Sequence, residues 1–211
     1  MANSAALEGI NGLRDIRRSP ASHLASALEA GSVQGKVVLA EGPFQTMAGV
    51  RVDPGSEGAS RIAAVTGGLP ARCGDVTGTE GVSVLWLGPS EFLVVAPEED
   101  HDSLGGNLIG SLTHALGDAP GQVVDLSANR TTFELSGPRA RAVLEKGCAL
   151  DLHPRTLKAG TALSTEIGNI PVVLWKTGEE SFRLFPRASF ADFLGRWLLD
   201  AMREYASPEV P

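Results

Sequence analysis

Val84-Leu85-Trp86-Leu87-Gly88-Pro89-Ser90-Glu91-Phe92-Leu93-Val94-Val95-Ala96-Pro97 returns about ninety residues later as Val173-Leu174-Trp175-Lys176-Thr177-Gly178-Glu179-Glu180-Ser181-Phe182-Arg183-Leu184-Phe185-Pro186. Each copy is an aliphatic strand ending in Trp, a polar turn, and a Phe-led strand closing in Pro. Each is followed by a stretch with helical periodicity. A duplicated strand–turn–strand–helix unit, at about 80–117 and 170–203, predicts two halves that bury their sheet faces against one another or against helices. The matching places of Trp86 and Trp175 predict core or sheet-to-sheet packing; a stacking platform for a planar cofactor is the competing reading.

Working outward, residues 1–18 read as an irregular arm and residues 19–211 as one folded unit. Ser19-Pro20 signals a helix start, with Ser as N-cap, Leu24 and Leu28 on one face and Gly31 as the stop. The β-prone runs 36–41 and 44–53, separated by Gly42-Pro43, read as a hairpin. Residues 59–65 read as a short helix closed by Gly67-Gly68. Leu104, Leu108, Leu112 and Leu116 predict an amphipathic helix over 98–116, stopped by Gly117.

Residues 122–126 and 131–135 read as a second strand pair joined by the turn Ser127-Ala128-Asn129-Arg130. Gly137-Pro138 opens a helix with Ala140, Val143 and Leu144 facing inward, stopped by Gly147. After an irregular link over 151–158, a strand spans 162–167. The last helix, 189–202, places Phe190, Phe193, Leu194, Trp197, Leu198 and Ala201 on one stripe, with Ser189 and Asp192 as a capping box. Strand pairs alternating with helices give an α+β class with mostly antiparallel sheets and helices packed on them.

A chain of 211 residues with 43% hydrophobic content can bury roughly 70% of its unfolded surface. With 25 Gly and 13 Pro it stays below the roughly 25–30% share of disordered chains. The net charge of −7 argues against a nucleic-acid backbone as principal partner, since phosphate binding needs clustered positive charge. No run of 18 apolar residues predicts a membrane span, and residues 1–12 hold no apolar stretch of signal-peptide length. Cys73 and Cys148 stand apart and read as reduced, buried packing residues of a cytoplasmic protein.

Catalytic signatures are missing: there is no G-x-G-x-x-G after a strand, no phosphate-binding G-x-x-x-x-G-K-[ST] and no G-x-S-x-G elbow. His23, His101, His114 and His153 are scattered, without metal-ligand spacing. His101 between Asp100 and Asp102 reads as an acidic helix start, with a weak metal site as the alternative. His153, in Asp151-Leu152-His153-Pro154-Arg155, is either a turn histidine bonded to backbone or an acid/base oriented by Asp151. Arg130, Arg139 and Arg141 are either surface or interface arginines or a small anion site beside the Gly137-Pro138 helix start.

The segment Val124-Asp125-Leu126-Ser127-Ala128-Asn129-Arg130-Thr131-Thr132-Phe133-Glu134-Leu135-Ser136-Gly137-Pro138-Arg139-Ala140 resembles the D-x-S-x-x-R … G-P-x-A stretch of the folate-binding aminomethyltransferases. Val143-Leu144-Glu145-Lys146-Gly147-Cys148-Ala149-Leu150-Asp151-Leu152-His153-Pro154, and Ser189-Phe190-Ala191-Asp192-Phe193-Leu194 leading to Trp197-Leu198-Leu199-Asp200-Ala201, narrow the resemblance. They are similar to the gamma-subunit family of heterotetrameric sarcosine oxidase, over about residues 80–203.

The resemblance implies an aminomethyltransferase-like fold and a cytoplasmic four-subunit complex. That complex oxidises sarcosine to glycine with hydrogen peroxide and formaldehyde, or methylenetetrahydrofolate. It implies FAD and FMN on the beta subunit, NAD and tetrahydrofolate on the alpha subunit, zinc on the delta subunit, and alpha as the direct contact. On this chain it implies no catalytic, cofactor-binding or metal-binding residue. In the aminomethyltransferases the strand before the first hairpin carries an acidic pair; here Gly81-Val82-Ser83-Val84-Leu85-Trp86 is aliphatic and cannot take a proton. A free-standing folate-binding protein of that fold and a flavin-independent self-associating scaffold remain as alternatives.

Overall fold

The computed structural model describes residues 18–79, 81–98 and 107–206. After a 3-10 turn at Ser22–Leu24 come α1 (Ala25–Gly31), β1 (Val38–Glu41), β2 (Gln45–Val52), α2 (Glu57–Thr66), β3 (Val76–Thr79), β4 (Val82–Gly88) and β5 (Glu91–Pro97). Then follow α3 (Leu108–Leu116), β6 (Gly121–Asp125), β7 (Phe133–Ser136), α4 (Ala140–Glu145), β8 (Ala162–Ile167), β9 (Ile170–Gly178), β10 (Ser181–Pro186), a 3-10 turn at Ala188–Phe190 and α5 (Ala191–Ala206). The expected α+β class with antiparallel sheets is what the chain adopts.

Two five-stranded sheets pack face to face, in the orders β1-β7-β10-β9-β8 and β6-β2-β5-β4-β3. Written this way the sheets correspond strand for strand, so the repeat legible in the two hairpins extends to all five positions. One strand breaks the sequence order. β6 follows α3 directly, whereas the place after α5 is filled by β1 from the start of the chain.

Both shorter hairpins expected from sequence are absent. β1 pairs with β7 in one sheet, and β2 lies between β5 and β6 in the other. Residues 122–126 and 131–135 likewise fall in different sheets, since β6 joins β2 and β7 joins β1 and β10. The reason lies in β2, which is buried along nearly its whole length and has both edges taken, leaving none for β1. Gly42-Pro43 and residues 126–132 are crossovers between layers.

Three apolar clusters follow. α1, α4 and α5 cover the outer face of the first sheet over Leu39, Phe133, Leu174 and Phe182. α2 and α3 cover the second over Val50, Val84, Phe92 and Val94. Between the sheets lie Met47, Leu85, Leu93 and Val95 from one side and Ala162, Val173 and Phe185 from the other. Each fully buried side chain of this size is worth about 1.5–3 kcal/mol against exposure.

The two tryptophans do not share a role. Trp175 packs between the sheets, whereas Trp86 packs under the helices of the second sheet. Phe92 follows Trp86 by six positions and Phe182 follows Trp175 by seven. Bulges at Trp86/Gly88 and Ser181/Phe182 absorb the difference. Because the pleat has period two, a one-residue offset turns a side chain to the opposite face.

Helix boundaries obey local chemistry with some corrections. Ser56 accepts from the Ala59 amide and starts α2 ahead of the expected residue 59, and Gly67 closes it in the left-handed conformation at φ 81°. Asn107 accepts from the Gly110 amide and starts α3 there, so the helix expected from residue 98 begins later; Leu104 lies outside the described residues. Ser19 does not cap α1, because its hydroxyl donates to Glu41. Nor is a capping box formed at α5: Ser189 lies inside a 3-10 turn, and Asp192 binds His23 and Arg196.

The inward stripe of α5 runs Ala191, Leu194, Gly195, Leu198, Ala201 and Met202. Phe193 points away from it and is 48% exposed. Between β8 and β9, Gly168 and Asn169 both have positive φ, 59° and 66°, the requirement of a tight two-residue hairpin turn.

Candidate functional site

The crossovers from β1 to β2 and from β6 to β7 run side by side, tied by the Gly42 amide donating to the Thr132 carbonyl at 2.8 Å. Ser127 anchors the second to the first: its hydroxyl accepts from the Met47 amide at 3.1 Å and donates to Asp125 at 2.6 Å. Glu41 pins the entry, accepting from the Ala21 amide at 3.0 Å, the Thr131 hydroxyl at 2.6 Å and the Ser19 hydroxyl. Between the crossovers lies a cavity of about 240 Å³, lined by Arg18, Phe44, Gln45, Met47, Arg130 and Thr132 among others.

Three of the lining residues, among the described residues, carry a side-chain polar atom that is buried without a hydrogen-bond partner: Gln45 Oε1, Thr132 Oγ1 and Arg130 Nε. Gln45 and Thr132 are only 7% and 2% exposed. Arg130 Nη1 donates to the Phe185 carbonyl at 2.8 Å. Among the described residues no carboxylate lies within ion-pair distance of it. Burial, and then the neighbouring Arg187 cation, push the Arg130 pKa below its ordinary value. A half-buried cation with no carboxylate partner among the described residues, beside buried polar atoms that lack hydrogen bonds, is a costly arrangement.

Elsewhere the structure separates what the sequence placed together. Arg139 sits 5.8 Å over the Tyr205 ring, and Arg141 pairs with Glu145 at 2.7 Å. Neither reaches Arg130, so the three arginines make no common anion site. The Asp151 carboxylate does not orient the His153 ring. It accepts from the His153 amide at 2.9 Å and the Thr156 hydroxyl at 2.9 Å, which holds its pKa below the usual range. The His153 Nδ1 in turn accepts from the Arg155 amide at 3.2 Å, within an exposed turn.

His101, Asp100 and Asp102 lie outside the described residues. Among those described, no cluster of three His, Cys, Asp or Glu side chains suits a metal ion. Cys73 is exposed, against the expectation of a buried thiol, and Cys148 is half-buried beside Thr165. The β4 strand carries Val84 and Leu85, both fully buried in apolar clusters. That segment does not fit the proton transfers of folate-dependent amine chemistry.

Gln45, Thr132 and Glu41 were not singled out by the sequence, and Lys176 was hidden in an apolar run. Its signal was a lone ammonium in a strand otherwise reading Ile170-Pro171-Val172-Val173-Leu174-Trp175. Lys176 is 3% exposed, and its Nζ donates to the Leu157 carbonyl at 3.0 Å. It is the sole buried charged side chain among the described residues, where no carboxylate, imidazole or thiol is buried.

With this geometry in place, comparison with known proteins is informative. The model of the family described as "Sarcosine oxidase, gamma subunit family" matches residues 49–204. A sarcosine oxidase subunit gamma from Arthrobacter sp is 53% identical over 197 residues, covering 92% of this chain and 94% of the relative. Its counterpart from Corynebacterium sp. (strain P-1) is also 53% identical over 197 residues, with the same coverage.

Among solved structures, a chain of heterotetrameric sarcosine oxidase from Corynebacterium sp. U-96 superposes with a TM-score of 0.86 at 50% identity, covering 93% of this chain and 100% of that one. The glycine cleavage system aminomethyltransferase T from Bartonella henselae superposes with a TM-score of 0.58 at 16% identity, covering 83% of this chain and 48% of that one. That second likeness is one of fold.

Proposed function

The chain belongs to the sarcosine oxidase gamma subunit family, and from that membership we propose that it serves as the non-catalytic gamma subunit of a heterotetrameric sarcosine oxidase. The complex oxidatively demethylates sarcosine to glycine, with hydrogen peroxide and formaldehyde or methylenetetrahydrofolate as the other products. FAD, FMN, NAD, zinc and tetrahydrofolate reside on the other subunits, and the alpha subunit is the direct neighbour. Residues 1–18 form an arm to a single folded unit spanning 19–211, and the assembly is cytoplasmic. No helix among the described residues is long and apolar enough to cross a membrane.

The observation that carries the non-catalytic reading is the composition of the interior. Where two sheets meet, a catalytic site would need a positioned acid, base or nucleophile. Met47, Leu85, Leu93, Val173 and Phe185 occupy that space instead.

Co-expression of the tagged chain with the alpha, beta and delta chains tests the reading. A yellow, flavin-absorbing complex that retains this chain through gel filtration is the expected result. Folate-dependent methyl transfer by the chain alone would replace it with a free-standing enzyme, and a colourless homo-oligomer with a self-associating scaffold.

A further inference from the structure

We propose that the exposed edge of β6 takes up an extended segment of another subunit, which pairs with its backbone and fills the groove beside it. The proposal rests on the subunit role given above and names the surface that role uses. β6 lies at the edge of its sheet, and four of its five residues are exposed. Its pairing has a definite phase. The Leu126 amide donates to the Met47 carbonyl at 2.8 Å, and the Val52 amide donates to the Ser90 carbonyl, on the other side of β2, at 3.0 Å. Residues 122, 124 and 126 therefore bond toward β2, while the amides and carbonyls of Gly121, Val123 and Asp125 point away from it.

The first sheet closes its own edges from within the chain. At β1, the counterpart of β6, the Ser32 hydroxyl accepts from the Leu39 amide at 3.0 Å. At β8, the Ala162 amide donates to the Gly74 carbonyl at 3.1 Å, and the Glu166 carbonyl accepts from the Ala149 amide at 3.3 Å. An exposed strand edge is a template for one more strand. The side chains agree. Val124, 38% exposed, shares the face of Leu126, which packs against the cluster between the sheets. With Leu87 and Leu126 it lines a groove of about 330 Å³, whose lining also includes the Arg51–Glu91 ion pair. An extended segment with apolar residues at alternate positions matches both the edge and the groove.

A second copy of this chain fits less well. Five paired residues span about 17 Å and bury far less than the roughly 1,200–2,000 Å² of a stable complex. The net charge of −7 opposes self-association. The pairing is one part of a wider contact with a different chain.

Hydrogen exchange at residues 121–125, in the chain alone and in the complex co-expressed with the alpha, beta and delta chains, tests this. The Val123 and Asp125 amides should exchange fast in the chain alone and about tenfold or more slowly in the complex, while Gln122 and Val124 stay protected in both. A complex in which those two amides do not slow overturns the docking edge and leaves the subunit role standing. Slow exchange of both in the chain alone also overturns it, since a second copy or this chain itself would then fill the edge. Absence of any complex removes the subunit role and this occupant together. Val124→Lys places an ammonium where the added strand packs, and should weaken retention in the complex about tenfold. Because Val124 is exposed, the melting midpoint of the chain alone should move by no more than about 3 °C. Retention unchanged by Val124→Lys overturns the docking edge; if that variant fails to fold, the exchange measurement on the parent decides.

Discussion

Lys176 stands in one sheet where Trp86 stands in the other: Trp86 is the cross-strand partner of Phe92, and Lys176 is the cross-strand partner of Phe182. The pairing by sequence, Trp86 with Trp175, is therefore one residue out of step with the pairing in space. Under the helices of the second sheet that place holds an indole. In the first sheet it holds an ammonium, 5.9 Å from the Phe182 ring and bonded to the Leu157 carbonyl of the link above it.

Replacing Lys176 separates its two roles. Lys176→Ala removes both the packed stem and the donor to Leu157, and should cost about 2–4 kcal/mol in urea unfolding. Lys176→Met keeps the stem and should recover at least half of that loss. A Met variant as unstable as the Ala variant would show that the charge, not the packing, matters there.

Asp192 links the first and last helical segments through His23 Nε2 at 2.6 Å, and within its own helix accepts from Arg196 Nε at 2.9 Å. The His23 bond first, and Arg196 after it, hold its pKa below the usual aspartate value. A depressed carboxylate stabilises the folded state fully above its unfolded pKa of about 3.9, and that contribution is lost as pH falls through the lower folded value. Asp192→Asn should therefore lower the melting midpoint at neutral pH. The gap from the parent should close on acidification to about pH 2. A gap that stays constant with pH would assign the effect to packing.

Gly67 ends α2 with φ at 81°, and a Cβ there would lie 2.9 Å from the backbone of both Gly78 and Thr79. Gly67→Ala should cost about 2–4 kcal/mol, combining left-handed strain with overpacking. Gly35 has a similar φ of 76° but open space around it. Gly35→Ala should cost only about 1–2 kcal/mol, and equal losses at the two positions would discount the close approach of β3.

Glu41 is the clasp that holds the 3-10 turn at Ser22–Leu24 to the crossovers. Glu41→Ala leaves the buried Thr131 hydroxyl and the Ala21 amide without their acceptor, at about 1–3 kcal/mol. Hydrogen exchange should quicken over residues 19–24 while β9 and β10 stay protected. Unchanged exchange in that segment would rule the clasp out.

Strand and helix identity was legible because it is local. The apolar run Phe92-Leu93-Val94-Val95-Ala96, and Gly67 and Gly117 after helical turns, are signals carried within a few residues. The candidate site was nearly illegible. Arg130 was flagged for its charge, but Gln45 and Thr132 matter only because two chain segments that are distant in sequence cross at one place. The stripe on α5 was misjudged at Phe193 because Gly195, with no side chain to count, holds the centre of its buried face.

From its residues alone this chain specifies where its elements lie, that its sheets are antiparallel, and which family it resembles, since turn chemistry, periodicity and motif spelling are properties of neighbours in sequence. Tertiary structure decided which strands pair, which face each tryptophan takes, and where polar atoms are buried without partners. β1 and β2 read as a hairpin until β5 and β6 claim both edges of β2. Edge competition and pleat phase are set by strands distant in sequence, and no local window contains them.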